Sequence, residues 1–427
     1  MAATGVEDLS VAAASRWGSI AVRSAEPGDA IDGRRPALVL EPADVAMLAE
    51  MLAWTDRERL AITPRGGGTK LEWAAVPSRL HVVLSTARLT APMDHCAGDL
   101  TATAPAGATL ANVNDILGRE RQWLALDPPD AARATIGGIV ATNDSGPRRH
   151  RHGTPRDLII GVEMALAGGR TAKAGGKVVK NVAGYDLARL LCGSFGSLAI
   201  VTRATFKLAP APPVSRTVVV SALAPTPLAD LALAISNAPL TPSAIEIEAP
   251  GARLLVRFET TEAAADRQAI ATRELCAGRG VDAQIVMAEP EATVWREHER
   301  RLTPRDTAGV VRLAVLPTQV GDVLEHVARV SERHGVSCSA GGRAALGVLL
   351  IAIDGPSAES AAASIDELRR NAWARGGSVV VRSAHPDVKA LVDVWGDVGD
   401  SLPIMQAVKS RFDPNHTLNP GRGPGGL

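Results

Sequence analysis

The sequence predicts an α+β protein of two domains. Three observations carry this expectation. Before Pro210, strand-like and helix-like stretches come in mixed order, unlike the regular alternation of a doubly wound fold. After it, strands and helices of similar length recur, the pattern of an antiparallel sheet with helices on one face. Between the two lies "PAPPV" (residues 210–214), a stiff proline-rich connection.

The elements follow in order. Residues 1–35 read as an extension. Their start, "MAATGVEDLSVAAASRW", has no basic opening and carries Glu7 and Asp8 ahead of its apolar part, so it does not read as a secretion signal. "PALVLEP" reads as a strand, and "PADVAMLAEMLAWTDRERL" as a helix with apolar residues at helical spacing behind Pro42. "LAIT", "LHVVLST" and "LTATAPAGATL" are strands, followed by a helix over 110–121. "LIIGVEMALAGG" and "SLAIVTRATFKLAP" have the alternation and β-branched content of strands. Beyond the connection, "RTVVVSAL", "SAIEIEA" and "RLLVRFE" lead to a helix over 262–277. Strand "GVVRLAVLP", a helix over 319–334, strand "GVLLIAID", a helix over 358–375 and strand "SVVVRSA" complete the second domain. The expected divisions are 36–212, 213–407 and a Pro/Gly/Asn tail over 408–427.

Composition narrows the function. Lys plus Arg equals Asp plus Glu, 46 each, which argues against a dedicated nucleic-acid binder. Cys96, Cys192, Cys276 and Cys338 are far apart and form no CxxC, so zinc and iron–sulfur sites of the usual spacing are not encoded, and no metal site is expected. Scattered cysteines suit a reducing compartment. No uncharged apolar run reaches the ~20 residues of a membrane span. The expected location is the cytoplasm, peripheral to the inner membrane at most through partner subunits.

"PRGGGTK" (residues 64–70) holds three glycines behind a strand. Such loops bind phosphate because backbone N–H groups point at the anion and no Cβ blocks it. The run fails the P-loop spelling, since Leu71 follows Lys70. It also fails the dinucleotide-binding spelling, since Leu71 stands where a third glycine belongs. By itself it reads equally as a turn. A second cluster shifts the balance: "LALDPPDAARATIGGIVATNDSGPRRHRHGTPRDLIIGVEMALAGG" is dominated by small and hydroxyl residues. It reads as a stretch that wraps a ligand rather than one that packs a core. A third cluster, "GGKVVKNVAGYDLARLLCGSFGSLAIVTRATFKLAP", follows at once.

In this order and spacing the three clusters resemble the FAD-binding domain of the vanillyl-alcohol oxidase/p-cresol methylhydroxylase (PCMH-type) flavoproteins. The wording is most similar to the FAD-binding E subunits of bacterial glycolate oxidases, over residues 36–212 and again in "FDPNHTLNPGR". The resemblance implies a PCMH-type FAD-binding domain followed by an α+β cap. It implies that Arg65, Gly66, Gly67, Gly68 and Thr69 meet the FAD pyrophosphate, with Lys70 beside them. It further assigns Pro128, Thr135, Ile136, Gly137, Gly138, Ala141, Thr142, Asn143, Ser145 and Gly146 to the cofactor wall. Gly153 falls near the pyrophosphate, Ile200 and Val201 at the adenine side, and Asn419 near the flavin ring.

Other residues keep two readings. "RRHRH" (148–152) reads as a solvated loop rather than a binding patch, and His152 stands where relatives carry Tyr. Lys180 and Asn181 reach the flavin or a substrate carboxylate, or else cap the helix beginning near Asp186. Tyr185, the single tyrosine, either packs or serves a site. His416 reads as a turn residue. Two departures from catalytic relatives stand out. Phe195 occupies the Glu position of their "GS-x-GTLG" motif, and "HGVSCSAGGRAALGVLL" lacks the Asp and second His of their metal-binding motif.

The resemblance implies an FAD-dependent oxidoreductase subunit that oxidises a small 2-hydroxy acid, glycolate first, by hydride transfer to flavin N5. No residue stands out as the catalytic base. A sister flavoprotein subunit and an iron–sulfur subunit are implied as partners. The alternatives are a non-catalytic FAD-holding or electron-relay subunit and, more distantly, a stand-alone oxidase of a sugar or alcohol. Relatives that tether FAD through the glycine loop use a histidine at or next to the place of Thr69. A hydroxyl cannot form that bond, so the FAD is expected to be non-covalent.

Overall fold

The computed structural model describes residues 6–177, 184–222, 224–304 and 307–427. The chain forms two compact units. The first takes the chain up to Ser145, then Thr154–Ala211 and Asp397–Leu427; the second takes Gly146–Gly153 and Pro212–Gly396.

The first unit is built on two main sheets, beside a two-stranded pairing of Gln122–Trp123 with Ala209–Pro210. The smaller runs Val22–Ser24, Leu38–Leu40, Val82–Ser85, Ile62–Arg65, with the last three strands mutually parallel. These strands are enclosed on both faces, which is why "LVL" and "VVL" are apolar without alternation. The helix Val45–Arg57 makes the crossover and buries Leu48, Met51 and Leu52, one face at helical spacing. It starts at Val45 rather than at Pro42 because Asp44 caps it, its side chain accepting the Met47 N–H at 2.9 Å. The strand Ile62–Arg65 delivers the glycine run at its carboxyl end, where parallel sheets place ligands.

The larger sheet of this unit is antiparallel, in the order Asp94–Cys96, Thr101–Pro105, Ile200–Lys207, Ile159–Ala165, Thr171–Gly175. Alternation splits its faces. Ala102, Ala104, Val162, Met164, Ala204 and Phe206 join a core with the helices Leu110–Gly118, Ile136–Thr142 and Leu187–Leu191. Here one expectation fails. "ATIGGIVAT" is not merely a ligand-wrapping loop: Ile136, Ile139 and Val140 sit at helical spacing and are fully buried.

The second unit is one eight-stranded antiparallel sheet, ordered Ala283–Val286, Val214–Ser221, Arg253–Thr260, Ala244–Ala249, Ser337–Arg343, Val348–Asp354, Gly309–Ala314, Ser378–Ala384. Helices Pro225–Ser236, Glu262–Ala277, Val320–His334 and Ala358–Ala374 cover the apolar side. The other side is charged, carrying Glu246, Glu248, Arg253, Arg257, Glu259 and Arg343. Helix Ala288–Leu302 crosses that side, and its His298 lies between two carboxylates, Nδ1 at 2.7 Å from Glu248 Oε1 and Nε2 at 3.0 Å from Glu246 Oε2. The short segment Gly146–Gly153 is held there too. Arg148 forks onto Glu259 through three hydrogen bonds of 2.7–3.1 Å, and Arg151 donates to Thr241 O at 2.9 Å. "RRHRH" is therefore no free solvated loop, a correction that follows from the buried Glu259 it must neutralise.

Candidate functional site

In the first unit the glycine loop faces residues 130–138 backbone to backbone. A Cβ on Gly66 would stand 2.1 Å from Thr135 Oγ1, and one on Gly67 would stand 1.8 Å from the Arg133 carbonyl oxygen. Only glycine permits that approach. Among the described residues, none of the N–H groups of residues 66–69 donates to a protein acceptor. Four unspent amides in one loop form an anion nest.

A cleft of about 750 Å³, counted with its open mouth, lies against this loop. Arg65, Gly66, Gly67, Gly68, Thr69 and Lys70 form one wall. Thr135, Gly137, Gly138, Ala141 and Thr142 form another, with Ile200, Val201 and Asn419 completing the enclosure. The structure thus brings together most of the residues implied by the resemblance. It does not bring in the rest. Pro128 is buried away from the cleft, and Ile136 turns its side chain into the core. Asn143 accepts the Arg156 N–H at 3.2 Å, and Ser145 is outside the lining. Gly146 and Gly153 bound the segment grouped with the second unit.

Charges at the loop are paired. Arg65 Nη1 lies 2.6 Å from Asp29 Oδ1, and Arg23 holds the other oxygen of the same carboxylate at 2.7 Å. The Arg23 hydrogen bonds, joined by Arg65, keep the Asp29 carboxyl well below the usual carboxylate range. Lys70 Nζ lies 3.2 Å from Asp144 Oδ2 and donates to Thr69 Oγ1 at 2.9 Å, which leaves the Thr69 hydroxyl hydrogen to donate elsewhere. The loop therefore offers an anion amides, a hydroxyl and two cations already balanced by carboxylates.

The far wall carries residues the sequence reading did not assign: Thr63, Phe195, Gly196 and Arg422. Phe195 takes a left-handed backbone (φ 54), rare for an aromatic, and its N–H donates to Ala141 O at 2.8 Å. Asn419 fastens this wall. Its N–H donates to Ile62 O at 2.7 Å, its Oδ1 accepts from Thr63 Oγ1 at 2.8 Å, and its Nδ2 donates to Phe195 O. Arg422 Nη2 donates to Leu71 O at 2.6 Å and to Trp73 O, and burial pushes this guanidinium down to about 10. The available signal was "GRG" beside the "LNPG" motif.

The remaining residues with two readings are placed as follows. Tyr185 is 91% exposed, neither packed nor in the cleft. Lys180 and Asn181 lie outside the described residues. Asp186 caps the helix Leu187–Leu191 through the Arg189 N–H at 3.1 Å. His416 sits in a turn with its N–H on Asp413 O. His152 is half-buried, and burial lowers its proton affinity. Among the described residues lining the cleft, none is His, Asp, Glu, Cys or Tyr.

Residues 36–175 match the family model described as an FAD binding domain. Glycolate oxidase subunit GlcD of Bacillus subtilis (strain 168) is 28% identical, over 91% of this chain and 88% of that protein. Glycolate oxidase subunit GlcE of Escherichia coli (strain K12) is 40% identical over 27% of this chain and 33% of its own length. The full-length likeness is thus to the D subunit, and the denser local one to the E subunit. D-lactate and D-2-hydroxyglutarate dehydrogenases are further relatives. Among solved structures, p-cresol methylhydroxylase with substrate bound aligns with a TM-score of 0.75 at 17% identity, covering 98% of this chain and 97% of that one.

Proposed function

We propose that this chain, whose residues 36–175 match an FAD binding domain and whose relatives include glycolate oxidase subunits, is an FAD-dependent oxidoreductase of the PCMH-type flavoproteins that oxidises a small 2-hydroxy acid, glycolate first. The observation that carries the reading is the nest of unspent amides at residues 66–69, opening on a cleft lined by glycine, threonine and alanine. It fits a pyrophosphate, whose oxygens take several N–H donors at once and whose approach a Cβ would block. When bound, FAD supplies the acceptor for the hydride leaving the α-carbon of the substrate.

The chain's own residues bind and orient. Amides of Gly66, Gly67, Gly68 and Thr69 hold the pyrophosphate, and the Thr69 hydroxyl donates to it. Arg65 and Lys70, tethered by Asp29 and Asp144, add positive potential without reaching freely into solvent. Gly137, Gly138, Ala141 and Thr142 line the cofactor's length, with Ile200 and Val201 at the adenine side and Asn419 at the flavin ring. The cofactor is held non-covalently, because Thr69 offers no histidyl nitrogen. We take 36–212 as the FAD-binding domain, 213–407 as the substrate cap and 408–427 as the tail returning to the flavin.

Electrons leave through a sister flavoprotein subunit and an iron–sulfur subunit, since the four cysteines here are scattered. We place the assembly in the cytoplasm, touching the inner membrane only through partners; no described helix is long and apolar enough to cross a membrane. A second reading, an FAD-holding subunit without turnover of its own, is favoured by a described cleft lining that holds no His, Asp, Glu, Cys or Tyr and whose one lysine, Lys70, is tied to Asp144. One experiment separates them. The FAD-loaded chain is assayed with glycolate, D-lactate and D-2-hydroxyglutarate and an artificial electron acceptor, alone and then with its sister subunit. Turnover by the chain alone supports the first reading, and turnover only after addition supports the second.

A further inference from the structure

We propose that Lys409 is a positioning residue of the cofactor cleft: its buried ammonium ties together the two backbone segments that carry Phe195, Gly196 and Asn419. Lys409 lies in the last turn of the tail helix Leu402–Phe412, and its side chain is 2% exposed. An ammonium has three N–H donors and no acceptor. All three are used here: on Asp413 Oδ2 at 2.7 Å, on Ser197 O at 2.8 Å and on Leu418 O at 2.7 Å. Asp413 is fully buried and spends its own oxygens on the next turn of chain, accepting from Thr417 N at 3.0 Å and from Leu418 N at 2.8 Å. Burial lowers the proton affinity of Lys409, and Asp413 opposes that, so the charged form depends on this partner.

An ion pair needed only to end a helix would stop at Asp413. The two carbonyls decide otherwise. Ser197 closes the loop whose Phe195 and Gly196 line the cleft, and Leu418 directly precedes Asn419. Asn419 in turn donates to Phe195 O and accepts from Thr63 Oγ1. Lys409 thus fixes both ends of the Asn419–Phe195 bond while touching neither side chain. It acts through Asn419 on the far wall of the cleft and meets neither cofactor nor substrate.

This inference rests on the cleft being the FAD site, and its test separates the two. FAD affinity, the flavin absorption spectrum and the thermal melt are measured for wild type, Lys409→Met, Lys409→Gln, Asn419→Ala and Lys409→Met/Asn419→Ala. Lys409→Met is expected to weaken FAD about tenfold and shift the flavin spectrum, but to weaken it less than about threefold further when Asn419 is already alanine. A purely structural lysine would lower the melt equally in both backgrounds and leave the spectrum alone. Should Lys409→Met not fold, Lys409→Gln decides, since its amide cannot make the three-way bond. A folded variant with wild-type affinity and spectrum overturns the proposal. Wild type that binds no FAD overturns the cofactor site instead.

Discussion

Replacing Gly67 by alanine tests the cofactor loop at its tightest point. The added Cβ would lie 1.8 Å from the Arg133 carbonyl oxygen and 2.8 Å from its carbon. Both are backbone atoms, so no side-chain rotation relieves the contact. The loop must move from residues 130–135 by about 1.5 Å before an ordinary carbon–oxygen separation returns. Overpacking of this kind costs about 1–3 kcal/mol. The free loop relaxes outward, so the cost falls on the bound form, which needs the amides converged. At about 1.4 kcal/mol per decade, FAD affinity falls ~5- to ~150-fold. Flavin-fluorescence quenching on titration reads the affinity, and a melt of the FAD-free protein reads the fold. Gly98→Ala is the control, because nothing lies within 4 Å of its Cβ and it should change stability by less than about 0.5 kcal/mol. A Gly67→Ala protein that binds FAD like wild type would refute the nest.

Other outcomes follow from the same contacts. Acid denaturation should release the flavin into the supernatant, and flavin left on the precipitated chain would contradict the role given to Thr69. Burial alone would lower the proton affinity of His298, but hydrogen bonds to Glu246 and Glu248 outweigh it and raise it above the ordinary 6.5. The stability it contributes is complete below that value and lost as pH rises through the raised one, so melting temperature should fall on that side. Leucine at this position leaves two buried carboxylates facing each other, costs about 3–5 kcal/mol and should remove the slope; a slope that persists assigns it to another group. Arg422→Met strips the donors from Leu71 O and Trp73 O and should cost about 1–3 kcal/mol by denaturant titration. Arg148→Lys loses the fork on Glu259, and with the partly exposed arginine the cost should be about 1 kcal/mol, read as faster proteolysis of 146–153.

Elements with a clear period were legible in the sequence. Helix Glu262–Ala277 and the long valine-rich strands stand where their patterns place them, because one face of each meets a single core. Helix Ala288–Leu302 was not legible. Its inward side sets Glu291 and His298 among Trp295 and Leu302 against a charged sheet face, so the apolar period is broken by charged residues. The strand Ser337–Arg343, "SCSAGGR", reads as loop because its glycines make room. A Cβ on Gly341 would stand 2.7 Å from Ile247 O and 2.9 Å from a Leu302 methyl. In the site, the glycine and threonine clusters were legible because their function needs their smallness. Lys409 and Asp413 were not, because nothing in a lysine four residues before an aspartate says that both are buried.

The FAD cleft is tested by titrating the purified, flavin-stripped chain with FAD and following fluorescence quenching. Saturation at one FAD per chain, abolished or strongly weakened by Gly67→Ala and leaving Gly98→Ala unaffected, is the expected result. A chain that stays colourless and quenches no flavin, while melting as a folded protein, would contradict it.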